Sequence, residues 1–299
     1  MRTRRIGSLV VPVVGLGTNN FGWRLDEPAS AAVVRAALDA GVTLIDTADI
    51  YGGTESEAFI GRALGARRDE AVLATKFGKR GRPDLAGGAT PGYVRASVEG
   101  SLVRLRTDRI DLYQLHEPRP ETPIADTLGA LTELVEQGKV REIGCSNLSG
   151  DQLREAAGFA CVQNELNVLE PNDVDDGLAA AGALGIAYLP YYPLANGLLT
   201  GKYRRGEAVP VGSRLDVWYD DAEREEALAD VAFDRIEALE AFAVDRDRSL
   251  LELAFGWLLA QAPVASVIAG ATSPGQVRAN AAAGGWIMTP DDLAAVPSG

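Results

Sequence analysis

Histidine is almost missing from this chain: His116 is the only one in 299 residues. Cysteine is nearly as scarce, with Cys145 and Cys161 in no CxxC or other metal-ligand spacing. A His- and Cys-rich zinc centre is therefore excluded, and no Asp-rich Mg²⁺ loop stands out, so no metal site is expected. Two unpatterned cysteines also exclude a disulfide scaffold and read as reduced thiols of a cytoplasmic protein. Positive charge is in deficit, 29 Lys+Arg against 42 Asp+Glu, and the net charge of −13 disfavours nucleic acid or an anionic membrane as partner. Long apolar runs are absent too; the best, "LLELAFGWLLA", is too short to span a bilayer and carries Glu252. The start, "MRTRRIGSLVVPVVGLG", has the basic end and apolar run of a leader. Pro12 and the glycines break that run, and no small-residue cleavage site follows.

Nucleotide and nucleophile motifs fail as well. The turn "GLGTNNFG", Gly15 to Gly22, lacks the third glycine of GxGxxG. "GLLTGKY" is one residue short of a phosphate loop and ends in Tyr203 rather than Ser or Thr. No GxSxG elbow is present.

What is there is a rhythm. Short runs rich in Val, Ile and Leu alternate with amphipathic helical stretches: "VVGLGT", "TLIDTA", "AVLATKFG", "IDLYQLHE", "VREIGCSN", "CVQNELN", "IAYLPYYP" and "ASVIAGA". Continuous apolar strands between helices argue for a parallel sheet, and eight of them close a barrel. The expected fold is α/β, a single (β/α)8 TIM barrel domain over residues 1–299, with an N-terminal hairpin and a long loop after the seventh strand. That loop runs from about Leu194 to Asp230 and is a candidate lid.

In such a barrel, chemistry sits where strands end and loops begin. Those positions here are Asp46, Tyr51, Lys76, His116, Ser146, Asn147, Gln163 and Tyr191. Carboxylates ending a buried strand are costly unless paired. Lys76, at the end of the next strand, is the evident partner for Asp46. A cation held there would favour tyrosinate at Tyr51 and lower its pKa from about 10. Such a phenol can protonate a developing alkoxide, with His116 orienting the same oxygen. Asp49 reads as a loop or cap residue.

These residues are similar to those of the aldo-keto reductase family, through "LIDTADIYG", "LATKFG" and "LYQLHEP" in order, and the resemblance extends from "VVGLGT" to "IAGATSPGQVRAN". It implies reduction of an aldehyde or ketone by hydride transfer from NADPH, without metal, with Asp46, Tyr51, Lys76 and His116 as the catalytic set. It also implies nicotinamide contacts at Ser146, Asn147, Gln163 and Tyr191, and pyrophosphate contacts at Leu194, Gly197, Leu198 and Lys202. Gly270, Ser273, Gln276 and Asn280 would meet the adenosine phosphate. Many relatives carry Lys and Arg where this chain has Gly270 and Gln276, and often an acidic residue where it has Ala279. That weakens strict NADPH preference and leaves NADH open as donor. Arg278 is a candidate compensator.

The expected pocket walls are Phe21, Trp23, Trp218 and Tyr219, with the "KRGRPDLAGG" loop; aromatic walls suit a flat or apolar carbonyl compound. Basic residues near 79–82 and 204–205 would instead suit an anionic or sugar-like substrate. Two other readings share the fold. One is a cofactor-sensing module like channel-associated β-subunits. The other is a Schiff-base lyase using Lys76, which would need a depressed lysine pKa. The expected partner is a small-molecule carbonyl substrate; the sensing module would be marked by assembly with a membrane partner, which nothing in the sequence suggests, and the oligomeric state is not encoded in any motif.

Overall fold

The structure is a computed structural model that describes residues 1–79 and 88–297. An antiparallel hairpin opens the chain, β1 (Thr3–Ile6) and β2 (Leu9–Pro12), turning at Gly7 with φ +53°. Eight parallel strands follow: β3 (Val14–Gly17), β4 (Leu44–Asp46), β5 (Val72–Phe77), β6 (Ile110–Leu115), β7 (Val140–Ser146), β8 (Cys161–Glu165), β9 (Ala187–Tyr191) and β10 (Val267–Gly270). Neighbours pair in chain order, and β10 returns to β3. Tyr188 closes the remaining gap: its N–H donates to Pro263 O at 2.7 Å and its carbonyl accepts from Ala265 N at 2.9 Å. The barrel and its hairpin are those expected.

Local chemistry sets the helices between strands. Asp26 caps Glu27–Asp39 with Pro28 in the first turn, and Thr90 caps Pro91–Leu105 with Pro91 leading it. Ser249 and Glu252 form a reciprocal capping box on Leu250–Ala260. The long segment after β9 is more ordered than a plain loop: Arg214–Trp218 and Asp221–Ala227 are short helices capped by Ser213 and Asp220. The stretch "REEALADVAFDRIEALEAFA" is helical in composition throughout, yet the helix is broken at Leu228–Ala229, before Asp230–Val244. A last helix, Pro290–Ala295, also lies beyond the expected elements.

Strand alternation builds the interior. Outward residues Ile45, Leu73, Tyr113, Cys145 and Val162 pack under the helices. Inward residues Leu44, Ala74, Leu112, Cys161 and Leu189 form an apolar layer with Ile6, Leu9 and Val11 of the hairpin, which plugs the barrel's N-terminal end. Two residues further along three of these strands stand Asp46, Lys76 and Gln114, again inward. The sequence therefore puts a polar layer directly above an apolar floor.

Candidate active site

The polar layer is centred on a buried ion pair. Lys76 Nζ lies 2.6 Å from Asp46 Oδ2, with side-chain exposures of 1% and 4%. Lys76 also donates to Thr47 O at 3.0 Å. The other carboxylate oxygen, Oδ1, accepts from Gln163 Nε2 at 3.0 Å and Gln114 Nε2 at 3.3 Å. Burial alone would discharge the ammonium, but Asp46 and Tyr51 outweigh it, and the Lys76 pKa is raised. That direction is opposite to what an amine nucleophile needs and, with Asp46 2.6 Å away, counts against the Schiff-base reading.

Tyr51 starts a tight turn, Tyr51–Thr54, in which Gly52 and Gly53 take φ +58° and +65°. A Cβ at Gly52 would collide with the Phe21 carbonyl, so the turn needs glycine there. The turn holds the Tyr51 ring 5.3 Å from Lys76 Nζ and edge-on to His116, with ring centroids 5.9 Å apart. The expected lowering of the Tyr51 pKa does not prevail. Burial raises it, Lys76 pulls against that, Asp46 adds to it, and the net direction is up. Tyr51 is thereby a neutral proton donor over the whole physiological range.

His116 is buried, and its pKa is well below 6.5, first from burial and then from Lys76, Lys79 and Arg119. It is a neutral imidazole at pH 7. Its Nδ1 has no hydrogen-bond partner among the described residues. Asp49 is buried beside this set rather than exposed on a loop, and its N–H donates to Lys76 O at 2.9 Å.

Ser146, Asn147, Gln163 and Tyr191 form one network. Ser146 Oγ donates to Gln163 O at 2.6 Å, and Asn147 Nδ2 donates to His116 O at 2.9 Å. Tyr191 OH donates to Asn147 Oδ1 at 2.7 Å. Asn147 sits at φ +60°, a conformation asparagine tolerates, and this turns its amide inward.

Beyond β9, Leu194 enters a turn, Ala195–Thr200, in which Ala195, Asn196 and Gly197 have positive φ; Leu198 packs against the core. Lys202 folds back over Gly197, where a Cβ would lie 2.6 Å from Nζ. Ser273 caps Pro274–Ala283, accepting from Gln276 N at 3.3 Å, and Gln276 Oε1 accepts from Thr272 N at 2.7 Å. Asn280 Nδ2 donates to Gly270 O at 3.4 Å, while Arg278 is exposed. Open backbone at Gly197, a cation above it and a capped ten-residue helix N-terminus fit an anionic dinucleotide.

The pocket walls divide. Phe21 is fully buried in the core and presents no surface, so it is not a wall. Trp23 is 64% and Trp218 43% exposed. Tyr219 OH accepts from Asn196 Nδ2 at 2.8 Å. Most of the "KRGRPDLAGG" loop, with Arg80 and Arg82, lies outside the described residues. Arg204 pairs with Glu240, and Arg205 with Asp234 and Glu237, so both are committed to a helix and do not form a substrate site.

Two residues were not singled out from sequence. Arg214 stacks between Trp218 and Tyr192, 4.6 and 4.9 Å from their ring centroids. Gln114 touches Asp46 from the strand that ends at His116; its position two residues before His116, on the same inward face, was the available signal.

A (β/α)8 barrel with a buried lysine–carboxylate pair and a neutral phenol at its mouth is suited to proton transfer at a substrate oxygen. Comparison with known proteins specifies the class further. The aldo/keto reductase family model matches residues 13–298. Aldo-keto reductase YhdN of Bacillus subtilis (strain 168) is 36% identical over 290 residues, covering 93% of this chain and 87% of the relative. The NADH-specific methylglyoxal reductase of Escherichia coli (strain K12) is 34% identical, covering 90% and 89%. Among solved structures, the glycerol dehydrogenase AKR11B4 from Gluconobacter oxydans superposes with a TM-score of 0.84 at 32% identity, covering 98% and 93%. The chain belongs to the aldo/keto reductase family and is an NAD(P)H-dependent oxidoreductase. Among the described residues, no helix is long and apolar enough to cross a membrane, and no His/Cys/Asp/Glu group could hold a metal ion.

Proposed function

We propose that this protein reduces a small aldehyde or ketone to an alcohol with NADPH as hydride donor and NADH as an alternative, Tyr51 serving as proton donor. The observation that carries the reading is the Lys76–Asp46 pair, 2.6 Å apart and buried beside the Tyr51 phenol. When bound, the nicotinamide supplies the hydride. Ser146, Asn147, Gln163 and Tyr191 are the residues that would hold its ring. Leu194, Gly197, Leu198 and Lys202 would hold the pyrophosphate, and Gly270, Ser273, Gln276 and Asn280 the adenosine end.

Within this chain the work is proton handling. Tyr51 gives its hydroxyl proton to the oxygen of the carbonyl as charge develops there. Lys76 stabilises the tyrosinate that remains, and Asp46 keeps Lys76 charged against its burial. Neutral His116, edge-on to Tyr51, orients the same oxygen. Trp23, Trp218 and Tyr219 are the proposed pocket walls. The names of two relatives make methylglyoxal, for reduction, and glycerol, for the reverse oxidation, the first compounds to test. A single barrel domain in the cytoplasm, acting on a small molecule without nucleic acid or membrane, completes the proposal.

The test is NADPH and NADH oxidation against an aldehyde panel, wild type beside Tyr51→Phe. Tyr51→Phe should lose about 10²–10⁴-fold in kcat while still quenching or enhancing cofactor fluorescence on binding. A protein that binds cofactor but reduces no carbonyl would instead be a cofactor-sensing module.

A further inference from the structure

The row of residues beneath the proposed site is in strict register across four strands. Lys76 on β5 pairs with Gln114 on β6, Gln114 with Gly144 on β7, and Gly144 with Cys161 on β8. Gln114 and Cys161 are fully buried, yet neither has a part in the proton transfer just described.

Gln114 bridges two groups. Its Nε2 donates to Asp46 Oδ1 at 3.3 Å, and its Oε1 accepts from Cys161 Sγ at 3.8 Å. The chemistry of the partners fixes which way the amide points. An ionised carboxylate only accepts, so the NH₂ must face Asp46, and the S–H of Cys161 then meets the amide oxygen. The thiol is available to donate because burial raises the Cys161 pKa well above its usual value. Gly144 makes the contact sterically feasible: a Cβ there would stand 2.7 Å from Cys161 Sγ and 3.1 Å from Gln114 Cγ. A glycine in the middle of a barrel strand weakens that strand, and the close approach it permits accounts for its presence.

We infer that Gln114 is a positioning residue of the proposed reduction: it holds Asp46 Oδ1 so that Oδ2 stays turned to Lys76, and Cys161 across Gly144 locks its amide in that sense. The inference rests on the proposed function. Gln163 shares the contact with Asp46 Oδ1 but is also a proposed nicotinamide holder, whereas Gln114 has no second task. Without the Gln114 dipole, the potential around Tyr51 becomes more negative. The charged and titratable groups facing Tyr51 are Lys76, Asp46, His116, Tyr191 and Tyr192.

The experiment compares wild type, Gln114→Leu, Cys161→Ala and Cys161→Ser, with Tyr51→Phe alongside. Gln114→Leu should lower kcat for carbonyl reduction roughly tenfold, the usual effect of losing a hydrogen bond to a charged group. Its NADPH dissociation constant, read by fluorescence, should change less than twofold, and the alkaline fall of kcat should move to higher pH. Cys161→Ala should lower kcat in the same direction, and Cys161→Ser, which keeps a donor, should retain more activity than Cys161→Ala. A Gln114→Leu protein with kcat within twofold of wild type overturns the inference. So does one whose alkaline limb stays in place, or whose cofactor affinity falls in step with kcat. If Gln114→Leu does not fold, the alanine–serine comparison at Cys161 decides alone, equal rates counting against the inference. Full activity in Tyr51→Phe would sink the proposed function itself, a result independent of Gln114.

Discussion

Replacing Asp46 with leucine removes the carboxylate that holds Lys76 and leaves an ammonium with 1% exposure facing, among the described residues, only the Thr47 carbonyl and the Tyr51 hydroxyl. Replacing Lys76 with methionine leaves a different remnant: Asp46 keeps the amide donors of Gln163 and Gln114 on Oδ1. Stranding one member of a buried pair costs about 3–5 kcal/mol. Asp46→Leu should fall at the upper end of that range and Lys76→Met at or below its lower end, because the stranded ammonium keeps two neutral acceptors, the Thr47 carbonyl and the Tyr51 hydroxyl, whereas the carboxylate keeps two amide donors already aimed at Oδ1. At about 2–4 °C per kcal/mol for chains of 150–250 residues, Asp46→Leu should melt about 10 °C below wild type. The double variant, lacking both charges, should melt above Asp46→Leu. Thermal scans of the four proteins, checked by urea midpoints, give the coupling directly. Additive losses in the double variant would refute the claim that these groups stabilise each other. The pH dependence has a definite sign. The folded-state pKa of Lys76 is raised, so the pair's contribution is fully present below about 10.4 and fades only as pH rises through the higher folded value.

The remaining predictions use the same physics elsewhere. His116 is the only histidine, and its folded-state pKa lies well below 6.5, so as pH falls through 6.5 the unfolded chain takes up a proton that the folded one refuses. Stability should decline by up to about 1.4 kcal/mol per pH unit until the folded value is reached, and His116→Gln should flatten that part of the Tm–pH curve between pH 7.5 and 5. A parallel decline in the variant would contradict the assignment. Gly197→Ala places a Cβ against Lys202 Nζ at φ +98° and should destabilise by roughly 1–2 kcal/mol while raising the NADPH dissociation constant. An unchanged dissociation constant would remove Gly197 and Lys202 from the proposed pyrophosphate site.

The eight barrel strands were legible because most are Val-, Ile- and Leu-rich runs buried on both sides, and even the more polar Val140–Ser146 and Cys161–Glu165 keep the strand–helix rhythm. The break at Leu228 has no signal in the sequence, because composition is helical on both sides of it; the capped helix Asp221–Ala227 ends there. Pro290–Ala295 is six residues with no buried side chain, held by the Thr289–Asp292 capping box, so it had no hydrophobic period to show. At the site, the Asp46–Lys76 pairing followed from adjacent strand ends. The sign of the Tyr51 shift did not, because it depends on the balance between burial and one cation, which no motif encodes. Phe21 was misread for a related reason: an aromatic after the first strand reads alike whether it lines a mouth or anchors a turn. Gln114 carries no motif of its own; only its inward position two residues before His116 marks it.

The hairpin that plugs one end of the barrel has a consequence for how such a molecule can change. Ile6, Leu9 and Val11 seal a floor of side chains drawn from several strands, an apolar layer inside the barrel where nothing reacts. Trp23 and Trp218, at the other end, are exposed and outside that floor. Substrate preference can therefore drift by substitution at the rim with little threat to folding, whereas a polar residue at Leu44 or Leu112 would forfeit the scaffold before any new chemistry could be tried. The architecture separates what selection can explore from what it must leave alone.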